Sequence, residues 1–284
     1  MRITESREYY KPFDYPWSFD YYLEQNKMHW TAEEVPLHED MRDFKSATPE
    51  EQNLLRQLFR FFTQGDVDVA QAYYERYIPA FKPPEMRMML GAFAAMEATH
   101  EHAYSLLLDA IGMPESEYKA FYEYQEMVDK HAYIFQESPL DGHTERLARD
   151  IAVFSAFTEG LQLFSSFIIL LNFPRMGKFK GMGQIVTWSV RDETLHVEGM
   201  IKTFHTLIQE NPEIWTDDFK YHLYQVCRDM VDLEDKFIDL VFEMGAIEGL
   251  DASEVKEYIR FIADRRLLQL GLKPNYGVKD NPLP

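Results

Sequence analysis

The segment Ile151–Phe173, IAVFSAFTEGLQLFSSFIILLNF, holds one formal charge in 23 residues, that of Glu159. Its other side chains are mostly those of a protein core. A carboxylate isolated among them is costly unless it is neutralised, paired or bound to a metal. The run has the length of a membrane span. Gln162, Asn172 and three serines interrupt it along with Glu159, which suits a helix at the centre of a bundle better than one facing lipid. The fold must therefore surround this helix with others and bring compensating groups to Glu159.

The remainder of the chain can do this. It has 284 residues, 46% of them hydrophobic and 15% aromatic, enough to bury a sizeable core. A formal net charge of −19 argues against nucleic acid and anionic membrane as partners. The single cysteine, Cys227, excludes an internal disulfide and fits a reducing, cytoplasmic setting. It also leaves the chain without a dithiol pair for redox chemistry. The N-terminal MRITESREYYKPFDY has no apolar stretch of the kind a secretory signal needs.

Strand signals are nearly absent, and no composition shift marks a domain boundary, so one all-α domain is expected over 1–284. Thr48-Pro49-Glu50-Glu51 is a helix start, with Thr48 as N-cap, Pro49 in the first turn and Glu51 completing a capping box. That helix should run to about Ile78, carrying Gly65 in its interior at a cost of about 1 kcal/mol relative to Ala. The next should run from Pro84-Glu85 to Gly112, and others over roughly 115–137, 143–173, 182–210, 215–245 and 251–269. The first 45 residues read as an irregular, aromatic-rich arm packed on the bundle.

Two helices carry Glu-x-x-His: Glu97 and His100 in MEATHEHAY, Glu193 and His196 in VRDETLHVEG. Residues three apart on a helix share a face, and a carboxylate with an imidazole suits iron or manganese better than calcium. A chain with 9 His and this much Glu would show about one such pair by chance, so either alone means little. Both lie in apolar surroundings, however, where a solvated pair does not belong. Glu159 lies on the helix before Glu193, and antiparallel packing would bring the two carboxylates together. Ferritin-like di-metal bundles need one carboxylate from each of two helices and Glu-x-x-His from each of the other two. The fourth helix, 49–78, offers Asp66 and Asp68 in TQGDVDVAQ. Tyr104, four residues after His100, would sit about one turn from the metals.

Taken in order, these motifs resemble the small, radical-generating subunit of class I ribonucleotide reductase. The matching features are Glu97-x-x-His100-x3-Tyr104, Glu159-x33-Glu193, Arg191-Asp192-Glu193-Thr194-Leu195-His196, and the HWTAEEV that places Trp30 in the N-terminal arm. The resemblance covers essentially the whole chain. Counting back without gaps from Pro84-Glu85 makes Asp66, rather than Asp68, the family's first ligand. The segment between Tyr104 and Glu159 is short for the family. The family's flexible tail, which carries a relay tyrosine and docks on the large subunit, is expected to be missing after NYGVKDNPLP.

The resemblance implies a ferritin-like helix bundle in which Asp66, Glu97, His100, Glu159, Glu193 and His196 hold two metal ions. Iron is expected first, with manganese or a mixed manganese–iron pair as alternatives. It implies that Tyr104 is oxidised to a radical and that His100, Asp192 and Trp30 relay the radical towards the large subunit, where ribonucleoside diphosphates are reduced. A homodimer is the implied assembly, and a flavodoxin-like activator is a further implied partner where superoxide is the oxidant. The alternative readings are another di-metal carboxylate oxidase of ferritin-like fold, or an iron-binding or storage protein.

Overall fold

The computed structural model describes residues 2–115, 118, 125–132, 142–245 and 247–283. Among the described residues there are helices and turns and no strand. The arm contains α1 (Pro16–Lys27) and α2 (His38–Ser46). Then come α3 (Pro49–Ala72), a π-helix at Tyr73–Tyr77, α4 (Ile78–Ala80), α5 (Pro84–Ala110) and α6 (Gln125–Ala132). A run of helix from His143 to Arg175 divides into α7 (His143–Ala152), a π-helix at Val153–Gln162 and α8 (Phe164–Arg175). After it follow α9 (Lys180–Glu210), α10 (Asp217–Met244) and α11 (Ala252–Gln269).

Four helical runs surround the core: α3, α5, His143–Arg175 and α9. α3 lies along α5, and α9 packs on α7, on the longer π-helix and on α8. α10 and α11 pair with each other and close the far side. His143–Arg175 is, among the described residues, the one run apolar and long enough to cross a membrane, and nearly all of it is buried inside the protein. It is the core helix that its composition suggested.

The start of α3 follows its sequence signal: Thr48 Oγ1 accepts from Glu51 N at 3.2 Å, and Glu51 returns a bond to Thr48 N at 3.0 Å. The turn between α8 and α9 needs more. Phe179 adopts a left-handed φ of 54°, stabilised by Asp43 accepting its N–H at 2.7 Å. Buried Asp40 then accepts the N–H groups of Gly181 (3.0 Å) and Met182 (2.7 Å), the open donors of the first turn of α9.

The arm is more regular than expected, with α1 and α2 helical rather than irregular. α1 offers aromatic residues around its circumference and has no side-chain N-cap, so its helical signal is weak. Tertiary bonds hold it instead. Glu85, wholly buried, accepts from Asp14 N (3.0 Å) and Tyr15 N (3.1 Å) and pairs with Arg7. Glu210 accepts from Ile3 N (2.8 Å) and from Tyr15 Oη (2.5 Å). The helix expected over 115–137 falls largely outside the described residues, and within them Gln125–Ala132 is helical.

The second difference is the wide turn at Val153–Gln162. An inserted π segment leaves carbonyls that side chains must satisfy, and such segments concentrate at functional sites. Here Ser155 Oγ donates to Ile151 O at 2.7 Å, and Arg266 Nε donates to Gly160 O at 2.8 Å. Burial lowers the Arg266 guanidinium to about 10. A Cβ at Gly160 would lie 2.7 Å from Arg266 Nε and 2.8 Å from Ser155 O. Gly160→Ala is therefore expected to destabilise the protein by about 1–3 kcal/mol in urea melts. An ordinary helical glycine would instead gain roughly 0.5–1 kcal/mol on the same change. A gain in stability would show that the close approach is tolerated.

Candidate metal centre

α5 carries Glu97, His100 and, one turn on, Tyr104, while α9 carries Asp192, Glu193 and His196. α3 supplies Asp66 and the longer π-helix supplies Glu159. All eight are at most 2% exposed. Their donor atoms form two groups that could each hold a metal ion: Asp66, Glu97, His100 and Glu193, and Glu97, Glu159, Glu193 and His196, each within 4.8 Å. Glu97 and Glu193 belong to both. Asp66 is the α3 carboxylate brought here; Asp68 accepts instead from Gln64 Nε2, at 3.3 Å.

The two shared carboxylates face both histidines. His100 Nδ1 lies 3.4 Å from Glu97 Oε2 and 3.3 Å from Glu193 Oε1. His196 Nδ1 lies 2.8 Å from Glu97 Oε1 and 3.8 Å from Glu193 Oε2. Each carboxylate thus turns one oxygen to each imidazole, the arrangement a ligand bridging two cations requires.

The outer nitrogens set which imidazole atom faces inward. His100 Nε2 donates to Asp192 Oδ2 at 3.1 Å, and the same oxygen accepts from Trp30 Nε1 at 2.7 Å. Gln25, on α1, turns its amide nitrogen to Asp192 Oδ1 at 3.4 Å, because a carboxylate only accepts. Its Oε1 then faces His196 Nε2 at 2.9 Å and accepts from it. Both histidines so present Nδ1 to the carboxylates, with outer partners that orient the rings. Burial alone would raise the Asp192 carboxyl, but the bonds from His100 and Trp30 hold it below its usual range.

Inside the cluster the polar atoms are unsatisfied. Asp66 Oδ2, both oxygens of Glu97, Glu159 Oε2, Glu193 Oε2 and His196 Nδ1 are buried without a hydrogen-bond partner. Buried polar atoms are normally bonded, and six orphans gathered in these two groups call for positive charge between them. Burial pushes Asp66, Glu159 and Glu193 above the ordinary carboxylate range, with other carboxylates of the cluster adding to it. Glu97 goes the other way: burial opposes ionisation, but His100 and His196 lower it to about 2. Four carboxylates carry the charge that two divalent cations neutralise, so the residues fit a two-metal centre.

Comparison with known proteins agrees with this geometry. The family model for the ribonucleotide reductase small chain matches residues 7–282. The chain belongs to the ribonucleotide reductase small-chain family. Its relatives include the probable ribonucleoside-diphosphate reductase small subunits of Invertebrate iridescent virus 6, 44% identical over all of this chain and 89% of that one, and of Invertebrate iridescent virus 3, 42% identical over all of this chain and 80% of that one. The ribonucleoside-diphosphate reductase subunit beta of Chlamydia pneumoniae is 27% identical over 96% of this chain and 82% of its own. The fold is shared with the R2 subunit of Clostridium botulinum, with a TM-score of 0.86 at 24% identity over 95% of this chain and 86% of that one. It is shared also with the dimanganese(II)-NrdF of Streptococcus sanguinis, with a TM-score of 0.82 at 19% identity over 97% of each chain. Membership makes this an oxidoreductase subunit of deoxyribonucleotide synthesis and implies a di-metal site.

Tyr104 lies beside the centre. Its ring stacks on Phe62 (centroids 4.6 Å, 10°), which stacks on Phe167 (4.9 Å). Its hydroxyl donates to Ser189 Oγ at 3.3 Å. Burial, with the Asp66 charge adding to it, pushes the phenol far above its ordinary value, so it keeps its proton. Trp30, 2% exposed, stacks near His100 (centroids 5.9 Å, 27°) and meets Trp188 at 5.1 Å. Sequence reasoning missed Gln25, Ser189 and Tyr73, whose hydroxyl bonds Glu159. Only Tyr73 left a trace, two helical turns after Asp66, and 17 tyrosines in the chain hide it.

Proposed function

We propose that Asp66, Glu97, His100, Glu159, Glu193 and His196 hold two iron ions next to Tyr104, and that Tyr104 stores the oxidising equivalent that this subunit delivers. Manganese, or one ion of each, suits the same donors. When bound, the ions supply one-electron oxidising power drawn from an oxygen species. The observation that carries the proposal is the pair of clusters sharing Glu97 and Glu193, each with an imidazole Nδ1 turned inward, beside a tyrosine that is 1% exposed.

The chain's residues do the rest. Tyr104 loses one electron and its phenolic proton to become a neutral radical. Phe62 and Phe167 keep water and reductants from it. Asp192, held ionised, accepts from His100 and Trp30 at once, which gives a continuous path from the centre to the arm. Along that path an electron from the large subunit returns to Tyr104, and the hole passes to that partner. The lone buried Cys227 fits this division of labour, because reduction of a ribonucleoside diphosphate needs thiols that the partner must supply. A homodimer, residues 1–284 acting as one domain, a cytoplasmic setting and a flavodoxin-like activator where superoxide is the oxidant belong to the same proposal.

Metal analysis with electron paramagnetic resonance tests it. The oxygen-treated, iron-loaded chain should hold two ions and show a tyrosyl signal. Trp30→Phe should keep that signal and its yield while deoxyribonucleotide synthesis with the large subunit falls by at least about tenfold. A variant that lost the signal as well would place Trp30 in assembly of the centre rather than in the relay. A chain that bound metal but never showed a radical would favour a storage or other oxidase role.

A further inference from the structure

Tyr73 is wholly buried at the start of the shorter π-helix, and its hydroxyl donates to Glu159 Oε1 at 2.8 Å. The other oxygen, Glu159 Oε2, has no hydrogen-bond partner. The two oxygens of this carboxylate are therefore already distinguished by the protein: Oε1, bonded to a neutral donor, also lies 3.8 Å from His196 Nδ1, and Oε2 is left without a partner. The phenol itself is fixed in direction. Phe154 meets its ring edge-on at 5.1 Å (88°), and Tyr77 and Phe93 stand at 6.2 and 6.3 Å. Tyr73 follows Asp66 by seven residues, two turns along the same helical run. The run of α3 and the π-helix after it thus brings a carboxylate to one group of donors and, through Tyr73, a hydroxyl to the carboxylate of the other.

We propose that Tyr73 is the positioning residue of Glu159, holding Oε1, which lies 3.8 Å from His196 Nδ1, so that the carboxylate keeps a single orientation towards the ion it would share with that imidazole. The proposal rests on the two-metal reading above. Glu159 stands on a π-helix, where the backbone ladder is locally wider. A hydrogen bond from a rigid phenol fixes the direction of its carboxylate before any ion arrives. Outer partners of this kind are typically worth roughly 10–100-fold in metal affinity. The consequence is confined to one of the two sites, since Tyr73 bonds none of Asp66, Glu97, His100 and Glu193 among the hydrogen bonds described for it.

Tyr73→Phe removes the hydroxyl and keeps the ring. Tyr77→Phe is the control: Tyr77 belongs to the same π-helix, is 2% exposed and meets the same Phe154, but its hydroxyl donates to Asp150 O at 3.2 Å. Mn(II) titration of the metal-free proteins, followed by loss of the free-ion paramagnetic signal, reads each site without turnover. The wild type should take up two ions. In Tyr73→Phe one of the two binding events should weaken by roughly 10–100-fold, the other should stay within about twofold, and Tyr77→Phe should match the wild type. Two unchanged affinities in Tyr73→Phe would overturn the assignment. So would equal weakening in both variants, which would mean that any lost hydroxyl in this π-helix loosens the core. A wild type that failed to bind two ions would overturn the two-metal reading instead, so the two failures are distinguishable.

Discussion

Stripping both metal ions should lower the melting temperature of this protein by roughly 15–30 °C. A ligand present at about 1,000 times its dissociation constant stabilises the folded state by about 4 kcal/mol, and the structure offers two sites. The sum is comparable to the whole stability of an ordinary domain, and about 2–4 °C accompanies each kcal/mol in a chain approaching this size. The physical source is the cluster itself: four buried carboxylates face one another with six donor atoms unpartnered.

The pH dependence should separate the two forms. In the metal-free protein Asp66, Glu159 and Glu193 are raised above their usual range, first by burial. The folded state then holds protons that the unfolded chain releases, so stability falls as pH rises above the ordinary carboxylate range. Burial opposes the charge on His100, but Glu97 and its other carboxylate partners raise it well above 6.5. Its contribution is complete below that value and is lost as pH rises through the folded one. Glu97, lowered to about 2, acts the other way and loses its contribution only in strong acid. Metal-free protein should thus be most stable in mild acid. The loaded protein should gain stability towards neutral pH, because ligation needs deprotonated donors. Melting curves of both forms between about pH 5 and 8 check the divergence, and parallel curves would contradict it.

Single substitutions should divide the stoichiometry. Asp66 and Glu159 each serve one group of donors, whereas Glu97 serves both. Asp66→Ala and Glu159→Ala should each keep one ion, and Glu97→Ala should keep none, with far-ultraviolet circular dichroism unchanged in all three. Two ions in Glu97→Ala would show that its carboxylate is not shared.

Tyr104→Phe should abolish the tyrosyl signal while leaving two metal ions in place, and should reduce deoxyribonucleotide synthesis with the large subunit to background. The hydroxyl it removes bonds Ser189, not a member of the metal cluster, so binding should be unaffected. The ring and its stack on Phe62 remain. The loss is expected to be all-or-none, because under the proposed function the phenolic O–H is the group that is oxidised. Retained synthesis in this variant would place the oxidising equivalent on the metal pair. The contrast with Trp30→Phe is the sharper test: one variant should lose the radical, the other should keep it and lose its delivery.

The helices and most of the cluster could be read from the sequence, because the signals are local. Thr48-Pro49-Glu50-Glu51 is a cap wherever it occurs, and the Glu-x-x-His pairs at Glu97 and Glu193 face one way on any helix. Glu159 betrayed itself as the one charge in an apolar run. Asp66 over Asp68 came only from gap-free counting against a family pattern. The tertiary structure places Asp66 beside Glu97, His100 and Glu193. What the sequence could not carry was any feature whose partner is distant and chemically ordinary. Gln25 bonds His196 across 171 positions, Tyr73 bonds Glu159 across 86, and Arg266 supports Gly160 across 106. None of the three belongs to a spaced motif. The same limit applies to α1, whose weak local signal is overridden by Glu85 and Glu210, and to the π-helix under Glu159. A helix's period is written in its residue pattern, but an inserted wide turn is stable only where side chains from elsewhere take up the carbonyls it frees. Composition and spacing thus determined which residues could meet, and packing decided which atoms of them do.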